Sequence, residues 1–94
     1  MSGREEYIIK MKQQLDDLNI AIADFETRAL LMQADAKASY NDNLFKLRQQ
    51  LKLTHEKLDE LKASSDNSWD QLVAETEKVR DAFVNSFHYF KSQI

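Results

Sequence analysis

The feature that most constrains this chain is a run of apolar residues spaced alternately three and four positions apart. In the first third of the chain it occupies Ile8, Met11, Leu15, Leu18, Ile22, Phe25, Ala29, Met32 and Ala36. This spacing keeps one face of an α-helix against a partner, as in a coiled-coil seam. With one local shift in spacing, it continues through Tyr40, Leu44, Leu47, Leu51, Thr54, Leu58 and Leu61. The pattern predicts a long helix over about residues 5–63.

Turn-forming residues are almost absent. The 94 residues include no proline and one glycine, and 31% are charged. A sheet protein of this size needs tight turns every ten residues or so, and glycine and proline are the residues that make them. The composition therefore predicts an all-α fold, and the length predicts a single domain over residues 1–94.

One segment interrupts the apolar pattern more clearly than any other. Residues 64–68 read SSDNS, and their short polar side chains compete for backbone hydrogen bonds and favour helix ends. Ser68 and Gln71 also have the spacing of a capping box. We therefore predict a turn at about 64–68 and a returning helix over about 68–93. The apolar stripe also keeps its helical phase through this segment, so an unbroken helix is geometrically possible.

A second interruption lies at residues 41–43, where Asn41, Asp42 and Asn43 have poor helix propensity. Because the stripe keeps its phase there, these residues could also lie on the outer face of an unbroken helix. Two architectures follow. One is a helical hairpin, and the other is a three-helix bundle with an extra break at 41–43.

The lengths of the helices decide whether one chain can cover its own apolar stripe in each architecture. A helix over residues 5–63 would be roughly 88 Å long and the returning helix roughly 39 Å, so a hairpin leaves about half of the long stripe uncovered. The hairpin therefore predicts a homo-oligomer. The three-helix alternative could close as a monomer. In either case we expect packing or interaction through Leu15, Leu18, Ile22, Phe25, Leu51, Leu58, Leu61, Trp69, Leu72, Val79, Phe83, Phe87 and Phe90.

Few side chains suit catalysis or metal binding. The chain has no cysteine, and its two histidines, His55 and His88, do not follow a glutamate by three positions as the ligands of di-iron bundles do. His55 and Asp59 lie four residues apart, which is more typical of a solvated helix surface than of a metal site. One glycine cannot form a glycine-rich phosphate loop. We expect no enzyme activity, no catalytic residue, no metal and no cofactor.

Charge and hydropathy bear on the partners and the compartment. The net charge of −3 gives no electrostatic reason to expect nucleic acid binding. No apolar run reaches the roughly 18 residues of a membrane span. A chain without cysteine fits a reducing compartment, and we expect a cytoplasmic protein. A lipid surface is a weaker candidate partner, because the polar face of the last segment is mixed in sign rather than rich in lysine and arginine.

The stretches REEYIIKMKQQLDDLNIAIADFETRA, QADAKASY, KLDELKASSDNSWDQL and VRDAFVNSF together resemble a family of small bacterial coiled-coil proteins, sometimes labelled stress-response proteins. Members typically show KLxELxxASGDAW followed by further tryptophan-containing repeats. This chain has Asp66 where glycine is usual and lacks a second tryptophan near VRDAF. The resemblance implies a helical, oligomeric protein with no assigned enzymatic chemistry.

Two functions remain open. The first is a structural or interaction protein, in keeping with the stress-response label, that acts by helix–helix self-association or by binding a protein partner. The second is a surface-active protein whose aromatic last helix binds lipid or granule surfaces.

Overall fold

The structure is a computed structural model that describes residues 3–93. It contains three helices, α1 (Gly3–Ala29), α2 (Ala34–Lys62) and α3 (Trp69–Ser92). They form an elongated bundle with extents of 51 × 21 × 19 Å. The described residues contain no strand. The predicted all-α class is confirmed.

The chain first reverses at residues 30–33, inside the helix predicted over 5–63. The N–H groups of Leu30, Leu31 and Met32 each donate to the carbonyl oxygen three residues earlier, at 3.0–3.2 Å, and so tighten the last turn of α1. Gln33 is then extended, with φ −71° and ψ 154°. The predicted long helix is therefore two helices. The reversal lets the apolar stripes of α1 and α2 bury each other within one chain, which a straight helix cannot do.

The extra break considered at residues 41–43 is not present, because these residues lie inside α2. Asn41, Asp42 and Asn43 are exposed, whereas their neighbours Tyr40 and Leu44 are buried. Burial of the two neighbours holds this turn of the helix against the core, so tertiary packing outweighs the poor helix propensity of the three polar residues.

The second reversal lies between Lys62 and Trp69, in the segment predicted as a turn. Ser68 is the N-cap of α3 but makes no side-chain capping bond. Its φ of −105° and ψ of −3° are not the extended values of a capping residue, and its hydroxyl lies 3.1 Å from that of Ser65 instead. The capping box expected from Ser68 and Gln71 is therefore not formed.

One apolar core joins the three helices. Besides apolar residues, this core encloses Thr54 and Thr76. The hydroxyl of each threonine donates to the carbonyl oxygen four residues earlier, at 2.8 and 2.7 Å, respectively. Neither threonine therefore buries an unpaired polar group. The buried apolar residues are Met11, Leu15, Ile22, Phe25, Ala29, Tyr40, Leu44, Leu47, Leu51, Leu58, Leu61, Phe83, Phe87 and Phe90.

Aromatic contacts tie α1 to α3 at both ends of the bundle. At one end the rings of Tyr7 and Trp69 lie 6.0 Å apart, edge to face. At the other, the ring of Phe25 lies 5.7 Å from Phe87 and 5.2 Å from Phe90. These contacts place α1 parallel to α3, and both run antiparallel to α2.

Candidate functional site

Most residues predicted to pack or interact lie inside the bundle. Leu18, Trp69 and Leu72 are partly buried and pack against the core, and half-buried Val79 lies at the surface between α2 and α3. In this conformation the stripe is covered by the chain itself, and the exposed large apolar side chains lie at other positions. The predicted residues that are buried are Leu15, Ile22, Phe25, Leu51, Leu58, Leu61, Phe83, Phe87 and Phe90.

An open groove runs between α2 and α3, and we call it the α2/α3 groove. It is lined by the apolar side chains of Phe45 and Leu53 from α2 and of Val79, Ala82 and Tyr89 from α3. Phe45, Leu53 and Tyr89 are 64%, 46% and 70% exposed, respectively. Three large apolar side chains are therefore held at the solvent-exposed surface along one groove.

The groove consists of two depressions that share Gln50. The depression beside Phe45 and Tyr89 measures about 630 Å³, and the one beside Leu53 and Val79 about 410 Å³. Between the two helices, the Gln50 side-chain amide donates to the Ser86 hydroxyl at 3.1 Å. This bond links α2 to α3 within the lining of the groove, where further polar side chains, those of Asn43, Gln49, Asn85 and Gln93, accompany the apolar ones.

The rim of the groove is basic. Lys46, Lys57 and Lys78 border it, and Glu75 is the one acidic residue that does so among residues 3–93. Lys57 also lies 3.3 Å from the carboxylate of Glu60, outside the groove. The rim thus favours a ligand with acidic flanks, although the protein as a whole carries a net charge of −3.

The outward side of α1 has the opposite charge, and we call it the acidic α1 face. Ile9 and Ile20 are 42% and 67% exposed on this face. They are 11 residues apart, which is close to three helical turns, so they point in the same direction. Exposed acidic residues surround them. These are Glu6, Asp16, Asp17 and Asp24.

Local ion pairs neutralise part of this acidic charge. Lys12 lies 3.3 Å from the Asp16 carboxylate and Arg28 lies 3.2 Å from that of Asp24, each at a spacing of four residues. Exposed pairs of this kind contribute about 0 to 1 kcal/mol. Lys10, beside Ile9, is a third exposed basic residue on this side, so the four carboxylates exceed the basic side chains by one.

A polar and aromatic cluster fastens α1 to the start of α3. The Arg4 guanidinium stacks over Trp69 at 4.6 Å and pairs with the Asp66 carboxylate at 2.7 Å, and the Tyr7 hydroxyl donates to Glu77 at 2.8 Å. Burial, together with this hydrogen bond, raises the pKa of Tyr7 to about 12. The cluster explains the position of the only tryptophan as a structural contact between helices.

Arg48 fastens α1 to the middle of α2. Its guanidinium donates to the Glu26 carboxylate and to the Asn19 side-chain oxygen. This contact lies on the opposite side of α2 from the groove, and no α1 residue within 3–93 lines either depression. The groove and the acidic α1 face are therefore separate surfaces of one molecule.

Within residues 3–93, no three histidine, aspartate or glutamate side chains are arranged to hold a metal ion. Asp59, the predicted neighbour of His55, lies 4.0 Å from the ammonium of Lys62. None of the helices in the described part of the chain is both long and apolar enough to span a membrane.

Comparison with known protein families, with curated protein sequences and with solved structures gives no match to this chain. The resemblance to bacterial stress-response-labelled proteins stays a prediction.

Of the apolar residues that line the groove, Val79 is among those predicted from the sequence, whereas Phe45, Leu53 and Tyr89 are not. Phe45 and Leu53 lie off the apolar stripe of α2, whose positions nearby are Leu44, Leu47 and Leu51. Large apolar residues outside a helical stripe are the sequence feature that could indicate such a groove, since a helix that packs on one face does not require them. Ile9 and Ile20 depart from the stripe of α1 in the same way.

Proposed function

We propose that this protein is a non-enzymatic interaction module that binds an amphipathic helix in the α2/α3 groove. The observation that carries the proposal is the row formed by Phe45, Leu53 and Tyr89, which are exposed although the core beneath is filled. Large apolar side chains aligned along a groove between two helices suit the helix-in-groove mode of recognition. A docked helix would complete a four-helix arrangement.

The dimensions of the groove support a helical ligand over a small molecule. Its α3 wall runs from Glu75 to Gln93, which corresponds to roughly 27 Å of helix. A helix of about 18 residues has this length. Both depressions are open to solvent along this length, whereas small-molecule sites enclose most of their ligand.

The form in which the module works is proposed to be the closed three-helix bundle rather than an oligomeric hairpin. Support comes from the contacts that join α1 to α3 at both ends, through Tyr7 and Trp69 and through Phe25 and Phe90. A straight helix over 5–63 would carry Tyr7 roughly 84 Å from the second reversal and would break these contacts within the chain. In the closed form the groove is accessible without any rearrangement.

Replacing Ala34 with proline tests this architecture. Ala34 is the first residue of α2 and follows Gln33, whose φ of −71° and ψ of 154° suit a residue before proline. We expect Ala34→Pro to leave the free energy of unfolding unchanged or to raise it by up to about 1 kcal/mol. In a continuous helix the same change would cost about 3 kcal/mol or more. Urea unfolding followed by circular dichroism measures the difference.

Ala38 provides the matched control for this test. It is an exposed alanine inside α2, four residues after Ala34. Ala38→Pro should cost about 3 kcal/mol in either architecture. If Ala34→Pro were as costly as Ala38→Pro, the closed bundle would not be the working form.

The docking proposal is tested with a labelled peptide of 18 residues or so, designed with leucines on one helical face and glutamates beside them. We expect it to bind the protein, with fluorescence anisotropy as the readout. The double variant Phe45→Ala and Tyr89→Ala should bind at least about tenfold more weakly, since truncating central apolar anchors costs 1–2 kcal/mol or more.

Two controls accompany the peptide. A peptide of the same composition with its leucines scrambled around the helix should not bind. The variant Leu31→Ala removes an even more exposed apolar side chain, 88% exposed, from the loop between α1 and α2. Leu31 does not line the groove, so this variant should bind the designed peptide normally. The proposal would be contradicted if the scrambled peptide bound as well as the designed one, or if the double variant bound the designed peptide as well as the unaltered protein does.

A surface-active function has less support. Phe83, Phe87 and Phe90, the aromatic residues expected to meet lipid, are 0%, 6% and 5% exposed. Lipid contact through α3 would therefore require α3 to leave the bundle and give up these buried contacts. The groove, by contrast, is available in the closed form.

A further inference from the structure

We infer that the helix that occupies the α2/α3 groove is α1 of a second copy of this chain, presented through its acidic α1 face. The contact would be head to tail, with the groove of one copy receiving α1 of the next. This inference rests on the proposed function, because it names the occupant of the same groove.

The apolar spacing of the two surfaces agrees. Ile9 and Ile20 are separated by 11 residues of α1, or roughly 16 Å along the helix axis. The groove has two apolar depressions, whose anchors Val79 and Tyr89 are separated by 10 residues of α3, or roughly 15 Å. One isoleucine can therefore enter each depression when the two helices lie nearly parallel or antiparallel.

The charges of the two surfaces are complementary. The rim of the groove carries Lys46, Lys57 and Lys78 against the single Glu75. The acidic α1 face carries four exposed carboxylates, those of Glu6, Asp16, Asp17 and Asp24, against three basic side chains, those of Lys10, Lys12 and Arg28, of which Lys12 and Arg28 pair with Asp16 and Asp24. Docking this face into the groove brings the acidic side chains to the lysine rim.

Charge also argues against a contact in which each surface meets its own equivalent on another copy. Two grooves placed face to face would oppose two lysine rims, and two acidic α1 faces would oppose two sets of carboxylates. Like charges brought together at an interface disfavour it. Opposite charges meet only when the groove of one copy contacts α1 of another.

Docking requires no change in the bundle. Ile22 and Leu15 bury the inner face of α1 in its own core, while Ile9 and Ile20 point away from it. Each copy offers one groove and one acidic α1 face on different sides, so each can bind two neighbours. A contact of this heterologous type generates a ring if the rotation closes and a filament if it does not.

Two double variants test this inference. The groove variant carries Phe45→Glu and Leu53→Glu, which place acidic side chains against the incoming carboxylates. The α1 variant carries Ile9→Gln and Ile20→Gln, which remove the apolar anchors without adding charge. All four positions are exposed in helices, and both new residue types are good helix formers, so the bundle should persist. Circular dichroism checks this for each variant.

The expected results follow from the head-to-tail geometry. By light scattering, the average mass of the unaltered protein should rise above the 11.0 kDa of one chain as its concentration increases into the millimolar range. Each variant alone should stay at 11.0 kDa, since every contact in it lacks one partner. An equal mixture of the two variants should form dimers and nothing larger, because one intact groove meets one intact α1. Added salt should weaken association, since it screens exposed charges.

Other outcomes would overturn the inference in distinguishable ways. If the unaltered protein assembles and the mixed variants do not pair, the contact is not head to tail. If the protein stays at the mass of one chain while the designed acidic peptide binds the groove, the occupant is another protein and the proposed function stands. If neither the peptide nor a second copy binds, both proposals fail.

Discussion

Replacing Phe83 with alanine is expected to lower the free energy of unfolding by about 3–5 kcal/mol. Phe83 is 0% exposed and is the largest side chain that the core encloses completely within residues 3–93. Its removal loses apolar contacts and leaves a cavity that rigid helices on either side cannot fill. Because small domains have a total stability of about 5–15 kcal/mol, the change would remove a large part of it. Urea unfolding followed by circular dichroism measures the loss.

Tyr89 is the control for Phe83. It is an aromatic residue on the same helix, less than two turns away, and it is 70% exposed. Tyr89→Ala should change the free energy of unfolding by no more than about 0.5 kcal/mol, as surface substitutions usually do. Similar losses for both variants would mean that α3 does not face the core as described.

Replacing Ile22 with alanine is expected to cost about 2–5 kcal/mol of unfolding free energy. Ile22 is 0% exposed and lies in the inner face of α1. The size of the loss reports how firmly α1 is packed on the rest of the bundle. Because the packing lies within one chain, the loss should be the same at low and high protein concentration.

Ile20 is the control for Ile22. It is the same residue type on the same helix, two positions away, and it is 67% exposed. Ile20→Ala should lie within about 0.5 kcal/mol of the unaltered protein at low concentration. An Ile22→Ala loss that grew with protein concentration would indicate that α1 packs between chains instead.

Much of the core could be predicted from the sequence because buried residues of a helix must recur at its period. Leu15, Ile22, Leu51, Leu58 and Phe83 are buried, and each belongs to a predicted stripe. The period says which face of a helix is buried. It does not say whether the covering face comes from the same chain or from another one.

The first reversal could not be predicted for a related reason. Residues 30–33 read LLMQ, which are good helix formers, and the stripe keeps its phase from Ala29 through Met32. Nothing local ends the helix there. The reversal follows from long-range packing, since folding α1 back onto α2 buries both stripes, whereas residues 41–43, with weaker propensity, stay helical under burial of Tyr40 and Leu44.

The groove is harder to predict from the sequence than the first reversal. Phe45 and Tyr89 are 44 positions apart and become neighbours only when α2 and α3 pack antiparallel in one register. Each alone is an exposed aromatic residue of the kind that many proteins carry singly. Their alignment is a property of the packed helices.

The contact of Trp69 with Arg4 and Tyr7 provides the protein with an internal optical probe. The indole is the only one in the chain, and it lies where α1 meets the start of α3. Its emission should therefore respond when α1 separates from α3 and water reaches the ring. Because Trp69 does not line the α2/α3 groove, the same emission should stay steady when the groove is filled. Opening of the bundle and occupancy of the groove can thus be followed separately, without attaching a label.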